Sequence, residues 1–358
     1  IGRNTAPYLI ASYYDSSLVD GMAGSVNTPP NKDIRWEKTT TVNVGVDFAL
    51  FRHRLSGTIE YYNKYSVDLL AAINGSPTQG FGYTTLMTNN GKMVNQGVEI
   101  TLSGEIIRQK DFSWNASLLY AFNRNKVKHI SVQPSLWDSR ISMPTSYPMV
   151  GKPLYGIYAY KWAGLNENGD PQVYDAENNV TSGPARDYHA LVYCGTTVPI
   201  HNASLTNVLR YKGFEFSAML ILDAGHKLRS SNIPSINMSN GRITSTAKGI
   251  VDRWTQPGDV TDVPRLLFSN DTENFNTHRT ELYRYSDLFV YDASNIRLSN
   301  ISLAYRVPAH WCKKISLSGA RLQFNVENVA TFAFDSKANY DLGGKVKTNY
   351  VWGLYLNF

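Results

Sequence analysis

The stretch Val42-Asn43-Val44-Gly45-Val46-Asp47-Phe48-Ala49-Leu50 places an apolar side chain at every second position, with small or polar residues between. A period of two is that of a β-strand, whose successive side chains point to opposite faces, so this segment has one greasy and one hydrophilic face. After Arg52-His53-Arg54 the pattern returns, with Leu55, Gly57, Ile59 and Tyr61 set against Ser56, Thr58, Glu60 and Tyr62. It recurs over residues 98–106, 114–122, 214–222, 301–305, 322–327 and 350–358, and more weakly over 205–211. About nine strands are predicted, each near the 9–11 residues that a tilted strand needs to cross a bilayer. Helical periodicity is nearly absent.

The connections carry a second signal. Arg52-His53, Arg108-Gln109-Lys110-Asp111, Lys212-Gly213 and the 308–314 turn are tight, whereas 66–90, 123–201, 227–291 and 330–349 are long and rich in Gly, Pro, Asn and Ser. Structureless loops beyond about 12–15 residues are unusual in a compact soluble domain. Here they alternate strictly with tight turns, which is the plan of an outer-membrane barrel. If strand 42–50 runs inward, every tight turn is periplasmic and Phe358 ends there too. Residues 123–201 then form an outer excursion, with 155–165 inside it or adding an even number of strands. A soluble sandwich or propeller would also alternate along its strands, but nothing in it forces long and short connections to alternate. Aromatics near the strand ends, such as Tyr61, Trp114, Phe122 and Trp352, suit interfacial girdles.

Composition narrows the field. The 358 residues hold 35 Lys plus Arg against 29 Asp plus Glu, a net charge of +6, with 18% charged and 12% aromatic residues. Two Cys exclude a disulfide scaffold and any Cys-rich metal module. The best apolar run, Ala218-Met219-Leu220-Ile221-Leu222, is far short of a helical span. No basic start followed by an apolar stretch marks a signal peptide, so the chain reads as a mature piece or fragment. The charge is too small and dispersed to suggest nucleic acid.

Several short segments carry a family resemblance. Trp36-Glu37-Lys38-Thr39 with Asn43-Val44-Gly45-Val46-Asp47-Phe48, Ile59-Glu60-Tyr61-Tyr62-Asn63-Lys64 with Asp68-Leu69-Leu70, and Asn95-Gln96-Gly97-Val98-Glu99 are three. Phe122-Asn123-Arg124-Asn125-Lys126-Val127, Tyr160-Lys161-Trp162-Ala163-Gly164-Leu165, Asp252-Arg253-Trp254 and Asp292-Ala293-Ser294-Asn295-Ile296-Arg297-Leu298 follow in order, before an aromatic terminal strand. Together they resemble the SusC/RagA-like group of TonB-dependent outer-membrane transporters, from about Arg35 to Phe358. The resemblance implies an all-β, antiparallel transmembrane β-barrel. Residues 1–358 would be the C-terminal portion of a plug-containing barrel of about 22 strands, with the plug and earlier strands outside this chain. It also implies a multi-pass protein of a Gram-negative outer membrane. The implied activity is active import of a glycan or oligopeptide, with TonB acting through the absent N-terminal region and a SusD-like surface lipoprotein as partner. A passive porin and a structural or adhesive barrel are the alternatives.

The hydrophilic face gives the lumen or plug-facing candidates Asp47, Glu60, Glu99, Arg321, Gln323 and Glu327, with Thr101, Asn115 and Asn325 beside them. Water satisfies such groups and lipid does not. On the long loops, Trp137, Tyr155, Tyr158, Tyr174, Trp254, Phe275, Tyr283 and Arg284 are the substrate-binding candidates, with Trp162, Tyr188 and Arg279 as further loop residues. Rings can stack on sugars or bury peptide side chains, and arginines can bind carboxylates; loop rings also pack loops together. Phe358 is the expected assembly signal, as the resemblance implies. No catalytic group, metal or cofactor is expected. Asp223 and His226 have a nonspecific spacing, Asp259, Asp262, Asn270, Asp271, Glu273 and Asn274 lack a regular calcium loop, and Gly80-Phe81-Gly82 is no dinucleotide site. Cys194 and Cys312 map to opposite barrel ends, too far apart for a disulfide.

Overall fold

A computed structural model describes residues 10–15, 21–28, 31–74, 85–132, 139–183, 185, 187–238, 247–268, 277–343 and 347–358. Nine strands form one antiparallel sheet: β1 (Lys38–Leu50), β2 (Leu55–Asn74), β3 (Thr85–Arg108), β4 (Phe112–His129), β5 (His201–Tyr211), β6 (Phe214–Ala224), β7 (Asn295–Arg306), β8 (Gly319–Ala333) and β9 (Asn349–Asn357). Each pairs with its neighbour in the sequence, so the sheet is a meander. A separate hairpin, Ile10–Asp15 with Met22–Thr28, was not anticipated.

The register keeps the greasy residues together across the whole sheet. One row runs Val46, Ile59, Ile100, Tyr120, Ala203 and Leu222, and another runs Phe216, Leu303, Phe324 and Trp352. Strand β7 would break this order, because Ile301 and Leu298 have opposite parity. Ser299 is skipped between the pairs Met219–Asn300 and Leu220–Leu298, so a bulge returns Leu298 and Ile296 to the apolar face. Among the described residues no second protein layer covers that face: Val44 is 61% exposed, Leu354 61% and Trp352 78%. The buried apolar residues among those described lie in the connections or on the opposite face.

The tight turns fall where the sequence puts them, at 51–54, 109–111, 212–213 and 307–318, the last holding the short helix Ala309–Lys313. The long connections differ in detail. Residues 66–90 are not a loop throughout, since β2 runs on to Asn74 and β3 begins at Thr85, making strands of 20 and 24 residues; Gly80-Phe81-Gly82 lies outside the described residues. Residues 155–165 stay out of the main sheet, with Gly156–Tyr160 paired to Leu191–Thr196. Trp162–Leu165, Pro171–Tyr174 and Val180–Thr181 form a small sheet beside them. The connection after β6 adds Lys227–Arg229 paired with Val290–Asp292, and the helix Thr277–Arg284.

Candidate functional site

The opposite face of the sheet collects the polar candidates. Asp47 accepts from the Thr58 hydroxyl at 2.7 Å. Glu60 and Glu99 are direct cross-strand partners, an arrangement of like charges that water must stabilise. At the tight-turn end Glu215 joins two arginines, at 2.8 Å from Arg210 and 3.1 Å from Arg321. Gln323 donates to Asn325 at 3.0 Å, and Glu327 pairs in register with Asn300 and Asn349. All six candidates therefore share one face. Glu99, Thr101, Asn202 and Asp223 border a hollow of about 310 Å³ on that face, with Leu119 and Ile221 as apolar members that the alternation gave no reason to single out.

Tyr62 lies on the same face and explains a glycine. Its hydroxyl donates to Asn123 at 3.0 Å across β3, and a Cβ on Gly97 would collide with the phenol ring and with the Phe122 carbonyl. Only a residue without a side chain lets the ring lie flat there.

Above the sheet the two longest connections fold against each other. Tyr158, Tyr160, Val173, Leu191 and Leu282 form one buried cluster, and Ile236, Tyr283 and Phe289 another. The Tyr160 amide donates to the Tyr285 carbonyl at 2.9 Å, and Arg229 donates to the Tyr158 carbonyl at 2.6 Å. The firmest link is ionic. Asp170 accepts from Arg265 Nε at 3.1 Å and Nη2 at 2.8 Å, and from Arg279 Nε at 3.0 Å. Arg279 is 1% exposed and its other donors reach the Ile236 carbonyl, Asn237 and the Arg265 carbonyl.

This cap sorts the loop candidates. Tyr158 and Tyr283 are core residues of the cap, 1% and 2% exposed, and as placed their rings pack the loops together; burial pushes both phenols above their usual range. Arg279, offered by the sequence as a carboxylate binder, is already committed to Asp170. Tyr155 and Arg284 are exposed, and Tyr174 and Trp254 are half-buried. Lys161 sits over the Tyr174 ring, and Trp254 packs on Gly169, whose φ is +74°. Trp162 donates to Asp262 at 3.0 Å, and Arg140 lies over Tyr188. Trp137 and Phe275 lie outside the described residues. Under the cap, Leu69, Met87, Met93, Val127 and Leu154 line a cavity of about 490 Å³ with Glu37, Lys92 and His129 at its edge. The sequence reading missed this cavity, because β3 and β4 were not expected to continue so far.

The remaining chemistry is quiet. Asp223 accepts from Asn202 at 2.7 Å and Arg297 at 2.9 Å, while Nδ1 of His226 is buried with no hydrogen-bond partner among the described residues and burial lowers its pKa. Asp259 holds Thr255 and Gln256 in a turn, and no group of three metal-ligating side chains occurs among the described residues. Asn270, Asp271, Glu273 and Asn274 lie outside them. Both cysteines are free, Cys194 in the cap and Cys312 in the turn helix.

The family profile described as "TonB dependent receptor-like, beta-barrel" matches residues 2–329. The chain belongs to that family. TonB-dependent receptor P3 of Formosa agariphila is 25% identical over 346 residues, 90% of this chain and 33% of that protein. TonB-dependent receptor SusC of Bacteroides thetaiotaomicron is 25% identical over 312 residues, 83% of this chain and 29% of that protein. The RagAB peptide transporter superposes with a TM-score of 0.74 at 22% identity, over 98% of this chain and 38% of that one, a likeness of fold. The chain thus spans about a third of the length of its curated relatives. The SusC/RagA resemblance stands, the family is not one of enzymes, and the nine strands are wall of an outer-membrane barrel. Their apolar residues share one face, and Glu60, Glu99 and Arg321 share the other.

Proposed function

We propose that this chain is the C-terminal wall and outer cap of a TonB-dependent importer, with the plug carried by the rest of the protein. The observation that supports it best is the pairing of a hydrated, charged inner face with a folded cap above it, in a chain whose family is that of TonB-dependent receptors. The interior ladder of Asp47, Glu60, Glu99, Arg321, Gln323 and Glu327 lines the passage and faces the plug. Tyr155, Tyr174, Trp254 and Arg284 are the cap side chains offered to a substrate, with Trp137 and Phe275 as further candidates. The chain ends on the periplasmic side, and Phe358 closes the terminal strand that the assembly machinery reads. A SusD-like surface lipoprotein covers the cap, and the cargo is a glycan or an oligopeptide; the RagAB relative is a peptide transporter by its description.

The test uses the full-length protein. Deleting its gene should abolish growth on one class of polymer, and dissipating the inner-membrane proton gradient should do the same. The purified protein should be nearly silent in single-channel recordings. Steady conductance with uptake independent of the gradient would establish a passive porin. Unchanged nutrient uptake on deletion would favour an adhesive or structural barrel.

A further inference from the structure

The segment Asn123–His129 of β4 continues past the lipid band and has an unexplained charge pattern. On this strand the apolar face carries Trp114, Leu118, Tyr120 and Phe122, the next outward positions are Arg124 and Lys126, and Lys128 follows at a bulge between the pairs Met93–Val127 and Lys92–His129. Exposure alternates accordingly: these three are exposed, Asn125 is half-buried, and Val127 is 4% exposed. No ion pair among the described residues involves any of them.

Their height fits one environment. At about 3.4 Å per residue and a tilt of about 40°, Trp114 to Phe122 spans roughly 21 Å of the membrane normal, close to the roughly 25 Å apolar band. Arg124 then stands about 5 Å above Phe122 and Lys126 about 10 Å, at the level of the headgroup layer, with Lys128 about 16 Å up, at its outer side. Below them sits an amphipathic belt, where Tyr120 meets His201 Nδ1 at 2.9 Å and Phe122 packs on the same imidazole at 5.4 Å. Beside them Arg124, Lys152, Tyr193 and Thr196 line a cleft of about 180 Å³, with the Lys152 ammonium 4.7 Å from the Tyr193 ring centroid. A row of unpaired cations directly above a lipid-facing aromatic belt is complementary to lipid phosphates.

We infer that Arg124, Lys126 and Lys128 form a strip that binds the phosphate groups of outer-leaflet lipid. The strip anchors the barrel at a fixed depth and orders anionic lipid around β4. This inference rests on the apolar face meeting lipid and not on what the interior carries. Loss of import with lipid binding intact would reject the transport reading alone.

The probe is bis-phosphorylated lipid A, titrated into the full-length protein in neutral detergent and read by native mass spectrometry. Near an anionic surface each basic side chain contributes about fivefold, so Arg124→Gln with Lys126→Gln and Lys128→Gln should weaken binding about a hundredfold. The single change Lys126→Gln should cost about fivefold, and it covers the case in which the triple variant does not assemble. Neutralising Lys110, Lys313 and Lys314 at the tight-turn end should leave affinity unchanged, and about 1 M salt should shrink the difference. Dephosphorylated lipid should bind both proteins alike. Equal lipid A binding by wild type and triple variant overturns the assignment, as does full competition by millimolar inorganic phosphate. So does loss of a protein partner from the triple variant with lipid A binding retained.

Discussion

Replacing Asp170 by Asn removes the negative charge on which two guanidinium groups converge. The carboxylate takes three charge-assisted hydrogen bonds, from Arg265 Nε, Arg265 Nη2 and Arg279 Nε. An amide of the same shape offers one acceptor oxygen and turns two N–H groups toward donors. Arg279 is 1% exposed, and burial already disfavours its charged form. Breaking a buried pair by removing one partner costs about 3–5 kcal/mol. Asp170 is 19% and Arg265 23% exposed at the side chain, so water relieves part of that and about 3 kcal/mol is the working value. The strands are held by their own ladders, so the loss falls on the cap and global unfolding will hardly register it. Hydrogen exchange will: amides at residues 172–174 and in Thr277–Arg284 should exchange about a hundredfold faster, while β5 and β6 stay unchanged. Adding Arg279→Met should recover much of the protection, because the stranded charge is then gone. Cap exchange within threefold of wild type, or equal acceleration in β5, would refute the assignment of Asp170 as the clasp between the two long connections.

Other expectations are local. Leu102→Arg, set between Gly57 and Leu118 on the lipid face, should cost about 2–4 kcal/mol in unfolding from vesicles; Thr101→Arg, one residue away on the interior face, should be far milder, and equal losses would mean the facing is wrong. Gly97→Val should displace Tyr62 from Asn123 and lower stability by about 1–3 kcal/mol, with Tyr62→Ala recovering part of it; an unaltered Tyr62 environment would dismiss the close approach. Burial pushes the Cys194 thiol up to about 11, leaving about one thiolate in a thousand at pH 8. Alkylation of folded protein should therefore be slow and rise with pH, and both Cys194 and Cys312 should react fully on denaturation; a protected pair under non-reducing denaturation would contradict two free thiols. Phe358→Ser should reduce the amount of assembled protein in the outer membrane, and unchanged insertion would leave the terminal ring as a lipid-facing residue alone.

Nine strands and the residues that share each face were legible because a barrel wall, with different surroundings on its two sides, imposes alternation. Val42 to Leu50 shows it without interruption. Beyond the lipid band water wets both faces, the constraint lapses, and hydrogen bonding continues unseen. That is why 66–74 and 85–90 read as loop although β2 and β3 pair through them. The same lapse hid the cavity at Met87, Met93 and Val127. The bulge at Ser299 was also silent, since Asn295-Ile296-Arg297-Leu298 alternates correctly on its own and only the pairing with Leu220 shows that its parity has been reset.

The cap was the hardest part to read, for a reason that bears on function. A ring on a long outer loop has the same sequence signature whether it binds cargo or holds the loop, and strands as short as Val180–Thr181 have no period to detect. Burial separates the rings that build the cap from those left exposed. Tyr158, Tyr160 and Tyr283 build the cores, and Arg279 clasps them to Asp170, so the cap is a folded body with its own energetics. Ordered binding groups need such a body: exposed Tyr155 and Arg284 on free loops would have to be immobilised by the ligand, at about 0.5–1.5 kcal/mol per side chain plus the cost of fixing the backbone. On the proposed reading, a prefolded cap would offer them to cargo with the backbone cost already met. If Tyr155 and Arg284 bind cargo as proposed, the Asp170→Asn variant should bind it more weakly, and unchanged affinity with a loosened cap would reject that role for them.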